Sequence, residues 1–232
     1  MPKLKQFDNK NFSIDIGKNK IFFANNPSQK TYIKNRMDRM LSKEPETIDW
    51  INKFEKNSLF FDVGANVGIY TLYAAIIKGS VVYAFEPHAS SYKNLLDSIN
   101  MNNLQNVKAF PIALGDKLSL SDIDVKNMHE GVAENVVGKK GDFYHGCVEF
   151  SLDFMVQRKL LSQPDYVKID VDGYENKVIE GAVNTLKNCK GCLVEINNVN
   201  KNCVAMLTDL GLRLKGQHKR NDREFNYIFE ND

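Results

Sequence analysis

Two short stretches of this chain bring acids and glycines together in a pattern suited to a charged ligand. Asp62-Val63-Gly64-Ala65-Asn66-Val67-Gly68 follows the apolar run Leu59–Val63, and small residues at such a strand-to-helix handover let a ligand approach the backbone closely. A glycine turn alone is shared by dinucleotide sites, phosphate loops and plain tight turns. Asp62 narrows the choice. A carboxylate two positions before the first glycine repels a pyrophosphate, and the spacing departs from G-x-G-x-x-G. The same carboxylate stabilises a methionine-type ligand that carries an ammonium and a sulfonium. Some twenty residues on, Glu86 ends the apolar run Val81–Phe85, where an acid can accept hydrogen bonds from both hydroxyls of a ribose. Asp62 and Glu86 together favour S-adenosylmethionine over a nicotinamide dinucleotide.

The second stretch, Lys168-Ile169-Asp170-Val171-Asp172-Gly173, ends a later apolar strand with two acids. Residues two apart on a strand point the same way, so Asp170 and Asp172 are expected to face one site if the strand runs that far. Glu195, in Leu193-Val194-Glu195-Ile196-Asn197, is a third carboxylate expected on the same rim. Methyl transfer from a sulfonium is an in-line displacement, and a hydroxyl acceptor needs a base as its proton leaves. These acids are the catalytic candidates. With Asn197 they also form an oxygen set for a hard divalent ion, but strand-end carboxylates serve equally as helix caps and lysine partners, so no metal is assigned. His88 is expected to meet the adenosine edge or cap a helix, while His129 and His145 read as loop histidines.

The elements that must position these residues alternate. Strands are expected at Leu59–Val63, Val81–Phe85 and Val107–Phe110, at 166–171 and at 193–196. Helices fall at 69–77, across Tyr92, Leu95, Leu96 and Ile99, at 152–161 and 174–186, and at 201–210. Two further strands, near 212–215 and 225–229, read as a hairpin. Such alternation signals a mostly parallel sheet covered on both faces. Residues 1–57 read as an N-terminal extension packing on a main domain at 58–232. The extension holds short strands or irregular structure at 3–32 with a break at Asn26-Pro27, a polar helix at 31–41 and a helix from Pro45 that buries Trp50. Periodicity weakens at about 111–150, read as an insertion of loops and hairpins on the acceptor side.

Composition narrows the function class. The 232 residues carry a net charge of +2 with charges scattered along the chain, so no basic stripe marks a nucleic-acid partner. The N-terminus lacks a signal-peptide apolar region and no stretch has membrane-spanning length, which reads as a cytoplasmic protein with no membrane partner. Cys189-Lys190-Gly191-Cys192 has the spacing of half a zinc site, but no second pair follows, and the cysteines read as reduced residues around a helix-to-strand turn.

On four motifs the chain resembles the FkbM family of methyltransferases. These are Phe61-Asp62-Val63-Gly64-Ala65-Asn66-Val67-Gly68, Tyr83-Ala84-Phe85-Glu86-Pro87, Ser151-Leu152-Asp153 and Val167-Lys168-Ile169-Asp170-Val171-Asp172-Gly173-Tyr174-Glu175. The resemblance implies a doubly wound α/β, class I (Rossmann-like) methyltransferase fold, mostly parallel with an antiparallel last strand. It also implies S-adenosylmethionine as cofactor, held by Asp62, Gly64, Asn66, Gly68 and Glu86, and O-methylation of a sugar, glycan or small natural product. The chain departs from the family pattern at Asp172, where Glu is usual, and at His88, where Asn is common. The competing readings are a non-catalytic cofactor-binding module and a nicotinamide-dependent oxidoreductase; neither acceptor identity nor oligomeric state is encoded.

Overall fold

The computed structural model describes residues 4–8, 11–25, 34, 40–124, 137, 144–197, 200 and 202–231. An antiparallel meander, β1 (Leu4–Gln6), β2 (Phe12–Ile16) and β3 (Asn19–Phe23), precedes α1 (Met40–Lys43) and α2 (Pro45–Asn52). Then come β4 (Leu59–Val63), α3 (Ile69–Tyr73) running on as a π-helical turn at Ala74–Lys78, β5 (Val81–Phe85), α4 (Ala89–Met101) and β6 (Val107–Phe110). β7 (Ala113–Leu114), β8 (Ser119–Asp124) and β9 (Tyr144–Phe150) form a small separate sheet in the order β7-β9-β8. The chain continues through α5 (Leu152–Gln157), β10 (Tyr166–Ile169), α6 (Glu175–Glu180), α7 (Val183–Lys187), β11 (Gly191–Asn197), α8 (Asn202–Asp209), β12 (Arg213–Lys219) and β13 (Glu224–Glu230).

Seven strands make the central sheet, in the order β12-β13-β11-β10-β4-β5-β6. The pairs from β6 through β11 are parallel, and β13 wedges antiparallel between β11 and β12. Strand order reverses between β4 and β10, and crevices for ligands open at the carboxyl ends of strands at such a reversal. Phe60 and Phe61 show why β4 is central. Both are fully buried: Phe61 packs with Val167, Val194 and Phe229 on one face, and Phe60 with Trp50, Leu72 and Val82 on the other. A strand covered on both sides needs such a continuous apolar run; each side chain contributes about 1.5–3 kcal/mol.

The N-terminal meander shares that second core through Phe12, Ile14, Ile21 and Phe23. It is stitched to α4 by the N–H of Ala24 donating to Ser98 Oγ at 3.0 Å and that of Phe22 donating to Asn102 Oδ1 at 2.9 Å. Trp50 is core, 3% exposed, edge-on to Phe54 and Phe60. Asn26-Pro27, His129 and most of the helix expected at 31–41 lie outside the described residues.

Three expected elements differ. The helix at 174–186 is two helices, because Gly181 packs where a Cβ would lie 1.8 Å from the Gly115 carbonyl oxygen. There Asp153 caps α7 from another element, accepting from the N–H groups of Asn184 and Thr185 at 2.8 and 2.7 Å. The helix at 152–161 stops at Gln157, with Lys159 in the left-handed region. The strand at 166–171 ends at Ile169, which changes how Asp172 reaches the site. Cys189, Cys192 and Cys203 are buried thiols, and burial pushes the Cys189 and Cys203 thiols up to about 12. Among the described residues no helix is long and apolar enough to cross a membrane.

Candidate functional site

The chain leaves β4 through Gly64 (φ +79), Asn66 (φ +51) and Gly68 (φ +87) before α3 begins. Glycine is obligatory at 64, because a Cβ there would lie 1.9 Å from the Asp170 carbonyl oxygen, in a backbone region that already disfavours side chains. The turn is tied to β5 by the N–H groups of Gly64 and Ala65, which donate to the Phe85 carbonyl at 3.0 and 3.1 Å. Beside it, Glu86 accepts from the N–H of Asn66 at 2.7 Å on one oxygen and from the N–H of His88 at 2.9 Å on the other. A carboxylate offers about four acceptor sites, and these two backbone donors fix the orientation of the Glu86 carboxylate. Of the two roles expected for His88, the helix cap is present: its Nδ1 accepts from the N–H of Ser91 at the start of α4. Burial, and then neighbouring His145, push the His88 pKa down to about 4, so the ring is neutral at pH 7.

Asp62 stands beneath the turn and on neither cavity wall. It is 1% exposed, and its Oδ2 accepts from Thr71 Oγ1 at 2.6 Å while the buried Oδ1 has no hydrogen-bond partner among the described residues. Burial raises its pKa; Lys168, its register neighbour on β10, opposes the rise. Lys168 is itself 1% exposed and donates to Asp170 Oδ2 at 2.7 Å. Burial alone would lower its ammonium pKa, but Asp170, Asp62 and Glu44 outweigh that and raise it.

The structure brings Asp170, Asp172 and Glu195 together, with one oxygen of each within 4.8 Å of the others. Strand alternation is not the reason. Beyond Ile169 the chain turns through Asp172 (φ +51) and Gly173 (φ +100), and Glu175 holds that turn by accepting from the N–H of Gly173 at 2.9 Å and from Asn200 Nδ2 at 2.7 Å. Asp172 is not the cap of the next helix, whose N-cap residue is Tyr174. Glu195 pairs with Arg220 Nη1, and Arg220 Nη2 reaches Glu44 at 2.8 Å, so the β12–β13 hairpin clamps the segment before α2 to β11. Asp170 and Glu195 therefore each already face a cation.

The crevice has two lobes that share Gly64, Asn66, Asp170 and Asp172. The larger, about 300 Å³, is walled by charge: Lys43, Lys168 and Arg220 against Glu44, Asp170, Asp172, Glu195 and Glu224. The smaller, about 50 Å³, contains Glu86 and His88 among Phe85, Ile112, Leu114, Ile123 and Val137. The described part of 111–150 thus borders the Glu86 lobe, whereas residues 43–44 and 220–224 border the carboxylate-rich one. Sequence reasoning missed Lys168, Glu44 and Arg220. Lys168 had a signal, a lone cation inside a buried strand. Arg220 had none, since it sits in a polar hairpin connection.

Similarity to known proteins agrees with this geometry. A family model described as a methyltransferase FkbM domain matches residues 62–223, more than half of the chain. The hexuronic acid methyltransferase AglP of Haloferax volcanii is 26% identical over 148 residues, covering 63% of this chain and 59% of the relative, so the match spans about three fifths of that protein's length. Among solved structures, precorrin-6y C5,15-methyltransferase from Geobacter metallireducens superposes with a TM-score of 0.52 at 12% identity, covering 82% of this chain and 87% of that one. Aeropyrum pernix fibrillarin, solved with natively bound S-adenosyl-L-methionine, gives 0.52 at 12% identity over 99% and 97%. With the strand order, the glycine turn and the two strand-end acids all in place, the chain belongs to the FkbM methyltransferase family and has the Rossmann-like class I fold.

Proposed function

We propose that this protein is an S-adenosylmethionine-dependent methyltransferase acting on a hydroxyl of a sugar, glycan or small natural product. The observation that carries the reading is the convergence of Asp170, Asp172 and Glu195 at the strand-order reversal, one shared wall away from Glu86. The cofactor fits the residues present. Glu86, oriented by two backbone N–H groups, takes the ribose diol, and Gly64, Asn66 and Gly68 give backbone access to the span between the lobes. The larger lobe has five carboxylates against three cations, a balance that favours a positively charged donor. Asp62 adds to that field from below the turn rather than by contact. When bound, the cofactor supplies a methyl group on a sulfonium.

The chain's residues then do the positioning and the proton chemistry. Asp172 and Asp170 would hold the acceptor hydroxyl in line with the donor's sulfur–methyl bond, and one of them would take up its single proton as that bond breaks and the oxygen–carbon bond forms. Lys168 keeps Asp170 oriented through its 2.7 Å bond, and Arg220 does the same for Glu195. The acceptor class draws on the AglP relative, which acts on a hexuronic acid. In this reading residues 1–57 are an extension whose last segment, with the β12–β13 hairpin, shapes the acceptor side of domain 58–232.

Incubation with a methyl-labelled donor and a panel of neutral sugars, hexuronic acids and glycans tests the reading. Label is expected on an acceptor oxygen. Donor binding without transfer to any acceptor would favour the non-catalytic module.

A further inference from the structure

The turn that presents Asp172 is held by an acid that lines neither lobe. Glu175, in the first turn of α6, is 2% exposed and contributes to neither cavity wall. Its Oε1 accepts from the N–H of Gly173 at 2.9 Å and its Oε2 from Asn200 Nδ2 at 2.7 Å. Burial pushes its pKa up, and these amide donors oppose the rise. Asn200 is itself buried, and the same Nδ2 also donates to the Gly173 carbonyl at 3.1 Å. The Asn200 N–H donates in turn to the carbonyl of Asn197 at 3.1 Å, at the end of the strand that carries Glu195.

The bond from Glu175 to Asn200 therefore joins the chain beyond β10, which carries Asp172, to the chain beyond β11. Such a tie is needed there. Asp172 (φ +51) and Gly173 (φ +100) are consecutive left-handed residues, a conformation that aspartate adopts at a cost, so the turn keeps its shape only where its surroundings hold it. Burying a carboxylate is costly unless it is hydrogen-bonded. Amide donors satisfy Glu175 and also fix its direction, because hydrogen bonds weaken steeply away from linearity.

Resting on the acceptor role of Asp172 proposed above, we infer that Glu175, clasped to Asn200, is a positioning residue for methyl transfer: it fixes where the Asp172 carboxylate stands relative to Glu195. A misplacement of about 1 Å at a reacting group costs about 100-fold in rate. The clasp acts on the acceptor side alone, so its loss shifts Asp172 while the seat of the donor on Glu86 and the Gly64–Gly68 turn is kept.

Glu175→Gln tests this, since it keeps the side chain's shape but offers one acceptor where two donors converge. With the acceptor labelled in the panel above, kcat should fall about 10- to 100-fold, while S-adenosylhomocysteine affinity by calorimetry stays within about twofold. In an Asp172→Asn background the same substitution should change kcat by no more than about twofold, because the acid it positions is already gone. Asn200→Ala, which opens the clasp from its other half, should behave alike and carries the test if Glu175→Gln does not fold. An unchanged kcat, an equal loss of donor affinity, or a loss that multiplies fully with that of Asp172→Asn would overturn the inference. If no acceptor in the panel takes label from the wild-type protein, the methyltransferase reading fails, and a crystal structure of Glu175→Gln decides the clasp alone. Carboxylate oxygens of Asp172 and Glu195 parted beyond 4.8 Å support it, and acids left within that distance overturn it.

Discussion

The two lobes of the crevice are built by different means. The Glu86 lobe is held by backbone: its acid is fixed by the N–H groups of Asn66 and His88, and its glycine turn by the Phe85 carbonyl at the end of β5. The carboxylate lobe is held by side chains, with Lys168 on Asp170 and Arg220 bridging Glu195 to Glu44. Backbone-held geometry follows from the fold itself and suits an invariant ligand. Side-chain clamps from the N-terminal segment and the last hairpin can change without disturbing the sheet, which suits a variable acceptor.

Substitutions can break that division, and the largest effect is expected where the lobes meet. Gly64→Ala forces a methyl onto the Asp170 carbonyl at a positive φ and should cost about 3 kcal/mol or more of stability, with loss of donor binding; denaturant unfolding with a parallel titration would show it. Next is Asp172→Asn, since asparagine tolerates the left-handed backbone. It should lower kcat about 100- to 1,000-fold with donor affinity little changed, separating the acceptor lobe from the cofactor lobe. Glu86→Gln should do the reverse, weakening S-adenosylhomocysteine binding by about 1.5–3 kcal/mol through lost charge-assisted hydrogen bonds. The smallest effect concerns pH. His88 has a folded pKa of about 4 against an ordinary value of 6.5, so only the unfolded chain takes up its proton between those values. Its contribution is complete above about pH 6.5 and is lost progressively as pH falls towards 4. His88→Asn should flatten that part of a stability–pH curve.

Much of the backbone-held lobe was legible in the sequence. The apolar runs of β4, β5 and β6 end where the structure ends them; for β4, in the middle of the sheet, burial on both faces leaves little freedom of composition. Asp170, Asp172 and Glu195 also converge as the strand ends suggested, yet for a reason that alternation does not supply, the left-handed turn at Asp172–Gly173 held by Glu175 and Asn200. The break at Gly181 depends on Gly115, distant in sequence, so helical periodicity through 174–186 could not reveal it. Arg220 acts through its tertiary neighbours Glu44 and Glu195 alone; nothing in a polar hairpin connection marks it locally.

The account rests most on the crevice accepting a sulfonium-type donor rather than a dinucleotide. Titrating the wild-type protein with S-adenosylhomocysteine and, separately, with NAD tests it most directly. Saturable binding of the first, weakened by Glu86→Gln, with no uptake of NAD, is the expected result. Tight binding of NAD with indifference to S-adenosylhomocysteine would contradict it.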